Sequence, residues 1–164
     1  MKDTVIQLLA AFLGAFGFSL LFRLHKRHLL LASLGGLLTW GVYLLAHHFL
    51  GNAFFANLIA SVFAVTGAEV LARWRKCPAT LFLIPAIIPL VPGSSLYYTM
   101  SSVVQNDLEM VNYYGHQLLT AALAIAAGIS FVTICRELRG AKRGQLVHNR
   151  PPIERRLVLR LAVL

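Results

Sequence analysis

Five runs of apolar residues divide the chain. They cover Val5 to Phe22, Leu29 to Ala46, Ala53 to Ala72, Ala79 to Met100 and Leu118 to Cys135. Each is about long enough to cross a ~30 Å hydrocarbon core as a helix. The pattern predicts an all-α polytopic membrane protein with about five transmembrane helices. The fourth run differs from the others because prolines crowd it. The connection from Ser101 to Gln117 is the longest. Val104, Leu108 and Val111 recur there at helical spacing among Gln105, Asn106, Asp107 and Glu109. That spacing predicts a short amphipathic helix lying on the membrane interface.

The polar positions between the runs alternate in charge. Arg23, Lys26 and Arg27 follow the first run, and Arg73, Arg75 and Lys76 follow the third. Arg136, Arg139, Lys142, Arg143, Arg150, Arg155, Arg156 and Arg160 follow the fifth. The second and fourth connections hold no Lys or Arg. Fourteen of the fifteen basic residues, all but Lys2, therefore fall on one side. The positive-inside rule predicts an inner-membrane protein with its N-terminus outside and its C-terminus in the cytoplasm. Residues 1–136 are expected to form the membrane domain and 137–164 a basic cytoplasmic tail. The tail either touches anionic headgroups through Arg155 to Leu164 or is disordered. Asp3 and the length of the first run argue for a retained helix over a cleaved signal peptide.

Composition supports this class. The chain has 164 residues, of which 58% are apolar and 13% charged. A soluble domain carries about a quarter charged residues. The net charge of +9 would suggest nucleic acid in a soluble protein. Here its placement between apolar runs fits membrane topology, and no nucleic-acid partner is expected. Cys77 and Cys135 have no zinc-type spacing, lie beside basic clusters and are expected to stay unpaired. No metal site and no cofactor are predicted. No phosphate loop, metalloprotease or nucleophile-elbow pattern is present, so no enzyme is expected.

Three features point to function. Ala56, Ala60, Ala64, Ala68 and Ala72 form a ladder of small residues at four-residue spacing, which predicts close helix packing of the third run. The fourth run reads Ile84-Pro85-Ala86-Ile87-Ile88-Pro89-Leu90-Val91-Pro92-Gly93-Ser94-Ser95. Each proline removes a donor and disfavours helical geometry in the residue before it. Pro89 falls roughly 17 Å into the run at helical rise. Unwound backbone at that depth must be buried in protein or line a cavity. Ser94 or Ser95 is expected to cap a new helix, whose N-terminus suits a carboxylate. Pro85, Pro89, Pro92, Gly93, Ser94, Ser95 and Tyr97 are thus the candidate translocation site, set against a kinked packing helix with no ligand. Glu69 is the one acid inside a run. It either pairs with Arg73 one turn on or couples an ion. His47, His48 and His116 read as interfacial residues, and Trp40 and Trp74 as packing and belt residues.

The stretch Ala72-Arg73, Lys76, Pro78, Ile84 to Gly93 and Tyr97, with its Pro-Leu-Val-Pro-Gly core, resembles the threonine/serine exporter family. The layout of the other runs is similar to the family's C-terminal membrane half. The resemblance implies a secondary transporter exporting small polar metabolites of the threonine/serine type. It also implies a larger partner subunit that carries the other membrane half, in a hetero-oligomer. Proton drive is expected. A dicarboxylate, succinate-type exporter subunit and a non-transporting assembly subunit are the alternatives.

Overall fold

A computed structural model describes residues 2–24 and 26–148. Six α-helices follow in order: α1 (Lys2–Leu21), α2 (Lys26–Leu50), α3 (Ala53–Arg75), α4 (Thr80–Ile87), α5 (Gly93–Val104) and α6 (Leu108–His148). A single 3₁₀ turn, Ile88–Leu90, joins α4 to the break before α5. All regular structure among the described residues is helical. Four helices, α1, α2, α3 and α6, are long and apolar enough to cross a membrane. The pair Thr80–Leu90 and Gly93–Val104, bent by 50°, makes a fifth if it counts as one broken span. The chain is thus an all-α polytopic membrane protein.

The described backbone divides into two units, with the boundary between Ile129 and Ser130. Residues 130–148 are the described part of the second unit and are helical. The proposed lipid-touching segment of the tail, Arg155 to Leu164, lies outside the described residues.

Local sequence explains where the helices begin and end. The Asn52 side chain accepts a hydrogen bond of 2.9 Å from the Phe54 N–H and caps α3. Lys76 ends α3 in the left-handed region at φ 52°, and the Cys77 N–H closes the turn onto the Ala72 carbonyl at 3.1 Å. The stretch Ser101 to Gln117, expected to hold a separate interfacial helix, is instead divided by a tight turn at 105–107 between α5 and α6. Asn106 is left-handed at φ 56°. The Asp107 carboxylate accepts from the Met110 N–H at 3.2 Å and caps α6. Val104 therefore closes α5, whereas Leu108 and Val111 lie on α6. Their helical spacing was real within α6, but the cap at Asp107 separates Val104 from them.

The core of the first unit is built from small residues. All five rungs of the alanine ladder are between 0 and 6% exposed. Ala68 and Ala72 pack with Leu24, Ala32 and Phe82, and Ala60 packs with Leu90 and Ile125. The third run is thus buried against helices of its own chain. Two glycines set the closest approaches. A methyl group at Gly36 on α2 would stand 2.5 Å from the Ala15 Cβ and 3.0 Å from the Pro85 carbonyl oxygen. One at Gly128 on α6 would overlap the Ser61 hydroxyl and reach the Leu58 carbonyl oxygen at 3.0 Å. Buried hydroxyls satisfy themselves within their own helices: Ser19 donates to the Ala15 carbonyl, Ser33 to Leu29, Thr39 to Gly35 and Ser61 to Leu58, at 2.7–2.9 Å. They serve as small spacers, while Leu13, Leu21, Phe49 and Leu123 remain exposed as a membrane surface requires.

Gly36→Val and Gly128→Val should each lower unfolding stability in detergent by about 1–3 kcal/mol, the usual cost of overpacking. Gly17→Ala, which meets nothing within 4 Å, should be neutral or stabilising by up to about 1 kcal/mol. Thermal unfolding of the three variants checks this contrast.

Candidate functional site

The three prolines of the fourth run do not act alike. Pro85 sits inside α4 and is buried against α2, where its carbonyl faces Gly36. Ile88, directly before Pro89, keeps helical angles of φ −47° and ψ −46°. Pro89 therefore tightens the chain into a 3₁₀ turn without breaking it. The break comes at Val91, extended at φ −60° and ψ 123°, and Pro92, at φ −77° and ψ 59°. The Gly93 N–H turns back onto the Val91 carbonyl at 2.7 Å. α5 starts there, and its first helical bond runs from the Leu96 N–H to the Pro92 carbonyl at 3.0 Å. Neither Ser94 nor Ser95 is the cap: Pro92 holds that position and makes no side-chain capping bond. The helix starts earlier than expected because proline's fixed φ suits entry into a helix. Both serines instead lie in the first turn, where backbone N–H groups lack a carbonyl of their own helix.

The break opens into a bowl of about 490 Å³. Pro89, Pro92, Ser94 and Ser95 line it on one side. Trp40, Tyr43 and His47 line it from α2, one helical face apart by three and four residues. Their rings form a continuous wall, with centroids 4.8 Å apart for Trp40–Tyr43 and 5.9 Å for Tyr43–His47. Asn52 and Asn57 contribute from the start of α3, and His116, Gln117 and Thr120 from α6. No Asp, Glu, Lys or Arg is among the lining residues. The bowl is polar but carries no fixed charge. Trp40 also lines a smaller groove with Gln7, Gly14 and Pro89, and its indole N–H is buried without a hydrogen-bond partner.

A sequence profile of the family described as Threonine/Serine exporter, ThrE, matches residues 7–135. The chain belongs to the threonine/serine exporter family. No solved structure matches it. Membership makes this a multi-pass membrane transport protein and speaks for transport over catalysis. The match runs from α1 into α6, so it embraces every element that lines the bowl.

Within this exporter chain the expected site residues separate into groups. Pro89, Pro92, Ser94 and Ser95 meet at the bowl. Pro85 is a packing residue of α4, and Gly93 and Tyr97 lie on the same break and helix without lining the cavity. Tyr97 is largely exposed, with its ring against Tyr98. Glu69 and Arg73 pair at 3.5 Å across one turn of α3. Glu69 is twelve residues beyond Asn57, roughly 18 Å along the helix, and does not line the bowl. His47 and His116, read from sequence as interfacial, are bowl residues, and so is Trp40. Asn57 was not singled out at all. Its signal was available: it is the one carboxamide within the third run, directly after Ala56 of the ladder.

In a background lacking Cys77 and Cys135, Ser94→Cys should react readily with a water-soluble maleimide in detergent. Phe82→Cys, buried in the core, should react at least tenfold more slowly. Mass spectrometry of the alkylated protein gives both rates.

Proposed function

We propose that this chain exports small amino acids of the threonine/serine type and holds them in the bowl at the Val91–Pro92 break. The observation that carries this reading is an uncharged polar cavity built on a broken helix in a chain of an exporter family. Broken helices supply polar backbone at membrane depth, where a polar solute otherwise finds no partners. Pro89, Pro92, Ser94 and Ser95 are the translocation residues of this proposal. Gly93 and Tyr97 support the geometry of the break, and Pro85 holds α4 in place.

Residues 1–136 form the membrane domain, with the N-terminus outside and the basic segment 137–164 in the cytoplasm. The bowl then opens outward, since His47, Asn52 and His116 adjoin the connections that hold no Lys or Arg. A larger membrane subunit of the same family completes the exporter. The proton gradient drives it, with the Glu69–Arg73 pair as the coupling element, because an intramembrane acid marks an ion path by default.

Efflux from whole cells tests the proposal. Cells loaded with threonine- or serine-containing dipeptides should export the free amino acid when this chain and the larger subunit are both present, and not with either alone. Pro89→Ala, Pro92→Ala and Gly93→Ala together should abolish export while the membrane level of the chain is unchanged. Glu69→Gln should leave the protein in the membrane and make the residual efflux insensitive to an uncoupler. Full export by the triple variant would remove the bowl from the pathway. Efflux of succinate in place of the amino acids would favour a dicarboxylate exporter.

A further inference from the structure

Asn57 is only 6% exposed, yet it lines the bowl. Its amide nitrogen donates to the Ala53 carbonyl at 2.9 Å. A carbonyl only accepts, so this bond fixes the orientation of the carboxamide and leaves Oδ1 as the free acceptor. The hydroxyls of Ser19, Ser33, Thr39 and Ser61 spend their donor within their own helix. Asn57 differs because a second polar atom remains after its helix is satisfied. That acceptor, in a mostly buried side chain at the cavity wall, is available to a donor on a solute that enters the bowl.

The chemistry of the walls narrows that donor. The lining residues include no carboxylate to pair with an ammonium and no Lys or Arg to pair with a carboxylate. A solute with two negative charges would find no fixed cation there, only the imidazoles of His47 and His116. An amino acid, whose charges cancel, needs no fixed counter-charge and meets polar acceptors and donors. We propose that Asn57 is a specificity-determining residue. Its Oδ1 accepts a hydrogen bond from the solute's ammonium, with the ring wall of Trp40 and Tyr43 beside it, and thereby selects net-neutral amino acids over carboxylates that lack the ammonium. The inference rests on the bowl being the solute site.

Trp40 supplies the readout. It lines the bowl, and the second tryptophan, Trp74, is 75% exposed at the end of α3. The 164-residue chain carrying Trp74→Phe, in lipid nanodiscs, reports occupancy through Trp40 emission. The probes are L-threonine, its methyl ester, which keeps the ammonium, and 3-hydroxybutyrate, which is threonine without it. Threonine should change the emission saturably, and 3-hydroxybutyrate should bind about tenfold more weakly, the scale of one hydrogen bond to a charged group. Asn57→Leu should weaken threonine and its ester about tenfold and leave 3-hydroxybutyrate unchanged. Asn57→Asp keeps the acceptor and should retain threonine within about threefold. Should Asn57→Leu fail to reach the membrane, Asn57→Asp decides alone: weakened binding of threonine and its ester overturns the proposal. Equal weakening of all three probes by Asn57→Leu, or no change in any, also overturns it while leaving the bowl as the solute site. The proposed larger subunit is needed for export, but every lining residue of the bowl belongs to this chain, so no response to threonine in the parent protein overturns the bowl reading and this inference with it.

Discussion

A helix inside a membrane must satisfy its own backbone, because hydrocarbon offers no hydrogen-bond partners. The Val91–Pro92 break is where this chain suspends that rule. Pro92 removes one N–H, and the extended Val91 interrupts the ladder between α4 and α5. The interruption is tolerated because the surroundings repair it. The Gly93 N–H folds back onto Val91, the 3₁₀ turn keeps Ile88–Leu90 bonded, and Leu90 is buried against Ala60 and Ile125. The exposed side of the break faces a polar cavity instead of lipid. The bowl and the break are therefore one feature, since Pro89, Leu90, Val91 and Pro92 of the break are themselves part of the bowl's wall.

Close packing makes the arrangement rigid enough to hold. Lipid tails are as apolar as leucine, so the apolar side chains gain little by leaving them. Association must come from backbones that approach closely. Gly36 seats α1 and α4 on α2, and Gly128 seats α6 on Ser61 of α3. The alanine ladder leaves α3 without bulky side chains on its buried face, so Ala32, Phe82, Leu90 and Ile125 of its neighbours pack directly onto it. α3 thereby fixes the break relative to the walls contributed by α2 and α6.

Most of the fold was legible in the sequence. Apolar run length located all the long helices, and four-residue spacing identified the buried face of α3 before any contact was known. The interfacial helix was misread because helical spacing around Val104 and Leu108 is blind to a cap. Asn106-Asp107 is a turn and N-cap signal that outweighs three periodic apolar residues. The site was legible only in part. Proline density marked the stretch where the helix breaks, but local sequence cannot show that Pro85 and Ile88 stay helical when neighbouring helices hold them. His47 and His116 read as interfacial, and Trp40 as a packing or belt residue, because the bowl is assembled from several helices distant in sequence. Asn57 was hidden by its apolar neighbours, although a lone carboxamide in such a run needs a reason to be there.

The bowl and the ion pair share one helix, which constrains any coupling between them. Asn57 stands near the start of α3 and Glu69 near its end, roughly 18 Å apart. Between them lie Ala60, Ala64 and Ala68, all buried in packed interfaces. Local distortion at one end of so tightly packed a helix is absorbed poorly, because small-residue interfaces leave little slack. Displacement of α3 as a body is the motion that packing permits. Such a displacement carries α3 against α2 and α6, the two helices whose side chains complete the bowl, so the two ends of α3 move together without any chain of polar contacts between them.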